Sequence, residues 1–171
     1  VDVALRLYVQ QCELSRMKTL YQAAHPELAA QRQRVQVLRD TLGLIGTKIA
    51  CNRGQCGSCT VLMNGNAIYS CHVLALDAMG TEITTVEGLM NGENLHPIQE
   101  AFVEEDGLQC GFCTPGQVMT AAGLLNRHPH PTTEQIETGM SGTLCRCAAY
   151  PNIRRSVETA AKKLNGKGVP S

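Results

Sequence analysis

Residues 51–59 read CNRGQCGSC, with thiols at Cys51, Cys56 and Cys59. Glycines and small polar residues fill the gaps, a composition that favours neither a regular helix nor a regular strand. Thiols gathered this closely have three ordinary uses: a disulfide framework, a zinc site or an iron–sulfur cluster. The rest of the chain decides between them.

The 171 residues carry nine cysteines: Cys12, Cys51, Cys56, Cys59, Cys71, Cys110, Cys113, Cys145 and Cys147. An odd number in a chain this long suits a disulfide scaffold poorly, so ligation of metal by thiolates leads. Eight of the nine fall into two sets of four. The first is spaced C-x4-C-x2-C, and Cys71 follows after eleven residues. This is the ligand spacing of a plant-type [2Fe–2S] ferredoxin. Sulfides and thiolates concentrate negative charge, so the enclosing loop must turn backbone N–H groups toward sulfur and keep bulky side chains away. Gly54, Gly57 and Ser58 suit that demand. Structural zinc usually takes paired C-x2-C knuckles, which the x4 gap does not supply.

The second set is Cys110-x2-Cys113 and, after thirty-one intervening residues, Cys145-x-Cys147. Its spacing is open to zinc as well as to iron. Its placement suits an anionic centre, because each pair precedes a predicted helix start and helix N-termini attract negative charge.

Around the thiols the first half reads as β-rich. Leu5–Val9 (LRLYV) is a candidate strand, residues 16–34 give no clear pattern, and Val35–Thr41 reads as a short helix stopped by Gly43 and Gly46. Thr60–Ser70 (TVLMNGNAIYS) reads as two strands flanking Asn64-Gly65, a strong hairpin signal. With those two as the turn, Met63 pairs with Asn66, and Cys71 returns beside Cys59. Residues 83–86 (ITTV) add one more strand. The second half reads as helical. His96-Pro97 starts a helix with Ile98, Phe102 and Val103. Thr114-Pro115 starts another with Val118, Met119, Ala122 and Leu125. Thr132 and Gln135 have capping-box spacing, and Ile153, Val157, Ala160, Ala161 and Leu164 mark one face of a last helix ended by Gly166. Residues 88–94 (GLMNGEN) mark the boundary between the halves.

Fifteen basic and fifteen acidic residues cancel, which gives no support to nucleic-acid binding. No apolar run approaches the roughly 18 residues of a membrane span, and no signal-peptide pattern is visible from Val1 onward. Cys12 reads as a free structural thiol. His72 reads as a surface or packing residue, and Arg146 suits either a charge beside the second set or plain solvent exposure. Met63, Met79, Met90, Met119 and Met140 read as core or interface filler. No nucleophile–base pair emerges, as fits a carrier whose chemistry belongs to a cofactor.

Five segments then resemble, in order and spacing, the small iron–sulfur subunit of the molybdenum hydroxylases, the xanthine dehydrogenase and aldehyde oxidoreductase family. They are CNRGQCGSCTVLMNG, SCHVLALDAMGTEITTVEGL, LHPIQEAF, LQCGFCTPGQVMTA and SGTLCRCAAYPNIRRSV. The resemblance implies an α+β chain: a β-grasp plant-type ferredoxin domain over residues 1–88, then a C-terminal four-helix bundle domain over residues 89–171. It implies a second [2Fe–2S] cluster on Cys110, Cys113, Cys145 and Cys147 beside the first on Cys51, Cys56, Cys59 and Cys71. It also implies partners: a large molybdopterin-binding subunit and an FAD-binding subunit, as a heterotrimer or its dimer. Substrate is hydroxylated in the large subunit, and electrons pass through both clusters to FAD or another acceptor. The second set would face the molybdopterin, with Gln109 and Cys147 as contacts to the pterin, and the first would lie nearer the flavin. The chain is expected to be inactive toward substrate alone.

The segments most resemble bacterial aldehyde-oxidising members, with xanthine, CO and N-heterocycle dehydrogenases as the alternative. The resemblance is compatible with a cytoplasmic or a periplasmic location. From other classes, the rivals are a zinc-stabilised binding module and a free-standing ferredoxin. The sequence departs from the family pattern at Ala50, where Gly is usual. It departs also at Thr143, where Asn is common, and at Ala148-Ala149, where Thr-Gly or Gly-Ala is common.

Overall fold

The computed structural model describes residues 40–74 and 76–166, together with Pro26, Ala30, Gln33 and Val37. Those four and residues 40–42 are helical, and Gly43 follows at φ 66°, the left-handed stop expected there. The strand expected at Leu5–Val9, Cys12 and most of residues 10–34 lie outside the described residues.

The hairpin forms in the predicted register. Strands β1 (Thr60–Met63) and β2 (Asn66–Tyr69) are antiparallel, with Thr60 opposite Tyr69 and Met63 opposite Asn66. Asn64 and Gly65 sit at φ 49° and 77°. Positive φ at both turn positions matches the twist of the strands they join. The short β3 (Ile83–Thr84) pairs antiparallel with the other side of β1, giving the order β2-β1-β3. It is shorter than expected. Val86–Leu89 curls into a 3₁₀ turn, and the Val86 carbonyl accepts from the Gln99 side chain instead of from a strand.

Four helices follow: α1 (Pro97–Glu104), α2 (Thr114–Arg127), α3 (Thr133–Met140) and α4 (Tyr150–Gly166). The first three start where the sequence places them, and α4 carries the expected face from Ile153 to Leu164 and ends at Gly166. The middle of α2, residues 116–125, is buried all round. It lies between the sheet and the other helices, as a helix without a polar face must. Gly123 makes the sheet contact possible, since a Cβ there would come within 2.5 Å of the Ala67 Cβ. One hydrophobic core joins Leu62 of β1 to Ile98, Phe102, Met119, Ile136 and Val157 of the helices. Burial of each such side chain stabilises the fold by roughly 1.5–3 kcal/mol. Val103, expected on the core face of α1, is exposed.

Helix α1 has eight residues and depends on its cap. The His96 Nδ1 accepts from the Ile98 N–H at 3.3 Å, and Gln99 Oε1 accepts from the His96 N–H at 2.9 Å. Burial pushes the His96 pKa below its ordinary 6.5, against an upward pull from Glu100. A depressed folded pKa means the neutral cap contributes fully above pH 6.5. That contribution is lost as the pH falls through the folded value, because a protonated ring cannot accept. Stability is therefore expected to drop on acidification by about 0.5–2 kcal/mol through this cap. His96→Asn, which keeps an acceptor at every pH, should lose that part of the dependence. Urea midpoints of both proteins across the acid range are the check.

Candidate metal centres

The loop holding the first three thiols turns by left-handed residues: Asn52 at φ 53°, Gly54 at 64° and Gly57 at 72°. These turns aim N–H groups inward. Arg53 and Gln55 both donate to the Cys51 sulfur, at 3.4 and 3.5 Å. Cys71 sits in the 3₁₀ turn Ser70–His72 that ends the hairpin, and the Ser70 N–H donates to the Cys59 carbonyl at 3.3 Å. Cys71 thus returns beside Cys59, as the register requires.

Within this set the thiols meet two at a time. Cys51 lies beside Cys56, and Cys59 beside Cys71. The pairs sit in different environments. Burial raises the Cys51 thiol, but the N–H groups of Gln55, Arg53 and Cys56 outweigh it and draw the pKa down to about 7. Burial pushes Cys59 up to about 12. The exposed His72 packs its ring on Gly54, where a Cβ would come within 2.8 Å of it. His72 therefore covers the loop and is a packing residue.

The second set repeats the scheme. Cys110 meets Cys147 at the surface, and Cys113 meets Cys145 in the interior. The Phe112 N–H and the Cys147 thiol lower the Cys110 pKa. Burial and the neighbouring Cys145 push Cys113 up to about 11. Cys113 is the N-cap of α2, so its sulfur lies at the positive end of a fourteen-residue helix. The Cys145 N–H donates to the Tyr150 hydroxyl at 2.9 Å. Arg146 and Gln109 are exposed. Met119 and Met140 are core residues, while Met79 and Met90 are exposed.

Ala148 holds φ 58°, a left-handed conformation in which its Cβ is strained. Ala148→Gly is expected to stabilise the protein by about 1 kcal/mol, measured as a raised denaturant midpoint.

The two sets are interlocked. The Leu144 N–H donates to the Cys56 carbonyl at 3.0 Å, and the Tyr69 hydroxyl donates to the Gly142 carbonyl at 2.8 Å. A Cβ on Gly57 would lie 2.6 Å from Thr143 Oγ1, and one on Gly116 would collide with the Gly57 carbonyl. Thr143 is fully buried, and its hydroxyl lies 2.8 Å from that of Thr120. Lys48, whose N–H donates to Ser58, places its ammonium 5.6 Å from the centre of the Phe112 ring, between Cys110 and Cys113.

All eight thiols are free. Among the described residues, no group of three or more His, Cys, Asp or Glu side chains is arranged to hold a metal ion. Paired thiols are instead the donor set of a two-iron cluster, in which each iron takes two thiolates. Sequence reasoning missed Tyr150, which accepts from the Cys145 amide, and Thr143 and Gln117, which are hydrogen-bonded to each other behind the second set. Gln117 left a signal, being a polar residue among the apolar positions of α2, four residues after Cys113.

Comparison with known proteins agrees with this geometry. Residues 27–85 match a family described as a 2Fe-2S iron-sulfur cluster binding domain, and residues 85–158 match one described as a [2Fe-2S] binding domain. The chain is 43% identical over 145 residues to the aldehyde oxidoreductase iron-sulfur-binding subunit PaoA of Escherichia coli K12. That match covers 76% of this chain and 63% of PaoA. It is 45% identical over 126 residues to a nicotinate dehydrogenase subunit of Pseudomonas putida, covering 74% of this chain and 80% of that one. Among solved structures, a chain of quinoline 2-oxidoreductase from Pseudomonas putida 86 superposes with a TM-score of 0.70 at 43% identity. The superposition covers 78% of this chain and 84% of that chain. The paired thiols, the inward N–H groups and these relatives together place the chain in the family of small iron–sulfur subunits of the molybdenum hydroxylases.

Proposed function

We propose that the chain carries electrons through two [2Fe–2S] clusters, one held by Cys51, Cys56, Cys59 and Cys71 and the other by Cys110, Cys113, Cys145 and Cys147. One observation carries the reading: the hairpin returns Cys71 beside Cys59 in the first set, and the Cys56 carbonyl and Leu144 amide join the two sets directly. When bound, each cluster accepts and releases a single electron. The chain's own residues do the rest. Left-handed turns at Asn52, Gly54 and Gly57 bend the first loop around its site, and the Arg53 and Gln55 amides neutralise charge on the Cys51 sulfur. Thiols held protonated by burial, such as Cys59 and Cys113, give up their protons as they bind iron.

In this reading the N-terminal part, residues 1–88, is a β-grasp ferredoxin domain, and residues 89–171 form a helical bundle domain. The two family matches meeting at residue 85 support that division. The partners are a molybdopterin-binding subunit and an FAD-binding subunit, and the substrate oxidised there is an aldehyde, as the name of PaoA suggests. A heterocycle is the second reading, favoured by the name of the nicotinate relative. Gln109 and Cys147 stand at the surface side of the second set, where a pterin on the partner could approach.

Iron and acid-labile sulfide analysis with EPR of the dithionite-reduced protein tests the electron-carrier reading. About four irons, about four sulfides and two distinguishable signals are expected. Zinc with no reduced-state signal would overturn it. A flavoprotein and a molybdenum protein co-purifying with the chain would support the assembly.

A further inference from the structure

We propose that Lys48, three residues before a thiol of the first set, is a positioning residue for the second, its ammonium holding the Cys110–Cys113 loop through the face of Phe112. The proposal rests on reading both sets as [2Fe–2S] sites. Residues 46–48 run between the first loop and the start of α2. The Lys48 N–H donates to the Ser58 carbonyl at 3.1 Å, next to Cys59, so its backbone belongs to the first loop. Gly46 and Thr47 are buried. The Gly46 N–H donates to Glu87 Oε1 at 2.7 Å. A Cβ on Gly46 would lie 2.3 Å from Val86 and 3.4 Å from Pro115, which follows Cys113 by two residues. The backbone under Lys48 is therefore pinned from three sides.

From that fixed base the side chain crosses to the second loop. Its Nζ donates to the Gly46 carbonyl at 3.0 Å and lies over the Phe112 ring, 5.6 Å from its centre. A lysine kept only for its stem would extend its ammonium into water. This one turns back onto its own backbone, which aims the charge at the ring. A cation within about 6 Å of a ring centre is attracted by the negative face. The loop has need of such a hold. Gly111 stands at φ 77°, Cys110 is exposed, and Phe112 is 47% exposed. A ring so open to water gains little from burial, so a charge over its face does more to fix where it sits. Two ligands of the second set flank that ring.

The test is EPR of the dithionite-reduced, cluster-loaded protein with its co-purifying subunits, comparing Lys48→Met and Phe112→Leu with the parent. The signal lost in Cys147→Ser marks the second set. Although Lys48 stands nearer in sequence to Cys51, that second signal is expected to broaden in Lys48→Met as the loop spreads over several positions. The first should not move, because the backbone bond to Ser58 remains. Phe112→Leu should broaden the second signal likewise, and the double variant no further, since either change removes the same contact. Lys48→Arg, whose cation also stacks on aromatic faces, should return the sharp signal. A second signal unchanged in Lys48→Met, a change confined to the first, or Lys48→Arg no better than Lys48→Met would overturn the proposal. If Lys48→Met loses both signals, Phe112→Leu decides: a broadened second signal upholds the proposal and a parental one sinks it. A parent protein without two signals would instead sink the electron-carrier reading itself.

Discussion

Cys71→Ser is expected to show one reduced-state EPR signal where the parent shows two, with about half the iron and little change in helical circular dichroism. Cys147→Ser should give the complementary loss. The size of the effect follows from ligand chemistry. A serine hydroxyl is a harder and far less acidic donor than a thiol, and iron in a sulfide cluster is served by thiolate. The selectivity follows from the structure. Cys71 meets Cys59 at the end of the hairpin, whereas Cys147 meets Cys110 at the surface of the helical half. Cys71 lies outside the hydrophobic core, and Cys147 packs only at its margin, so the fold should survive either change. Loss of both signals in a folded single variant would mean that the eight thiols do not divide as described.

Gly57→Ala is expected to destabilise the protein by roughly 3–5 kcal/mol. Two costs combine there. Left-handed backbone at φ 72° strains any Cβ, and the added methyl would stand 2.8 Å from the Thr143 Cα, which is backbone and cannot rotate away. Gly80 separates the two costs, because it holds φ 74° and a Cβ added there would meet nothing within 4 Å. Gly80→Ala should lose only the conformational part, about 1–2 kcal/mol. Urea unfolding of both variants measures the difference. Equal losses would mean that the contact between the thiol sets tolerates another methyl group.

Local chemistry was legible in advance. Asn64-Gly65 announced the hairpin and its register because both residues accept positive φ. His96-Pro97 announced a helix start because proline suits the first turn, and Thr132 with Gln135 announced another because their side chains satisfy free amides. Cysteine spacing separated the two sets. Spacing could not give the pairing within a set, since that depends on how the loop curls in three dimensions. Nor could it give the interlock, which joins residues as distant as Tyr69 and Gly142. Thr143 looked like an ordinary departure from a family pattern, yet it is fully buried between Gly57 and Thr120. The end of β3 was misjudged because the Val86 carbonyl answers to Gln99, a helical residue beyond the strand.

The interlock also governs the timing of folding. Gly142 leaves the ribosome 73 residues after Tyr69, the residue whose hydroxyl it accepts. Until then the Cys56 carbonyl lacks its amide, and Gly57 has no surface to lie against. The first loop, though made early, takes its final shape only when α1, α2 and α3 have been synthesised. Iron bound by the fully shaped loop is thus bound only after Gly142 and Leu144 are made, and a fragment ending before residue 142 leaves the early thiols in a loop without those contacts.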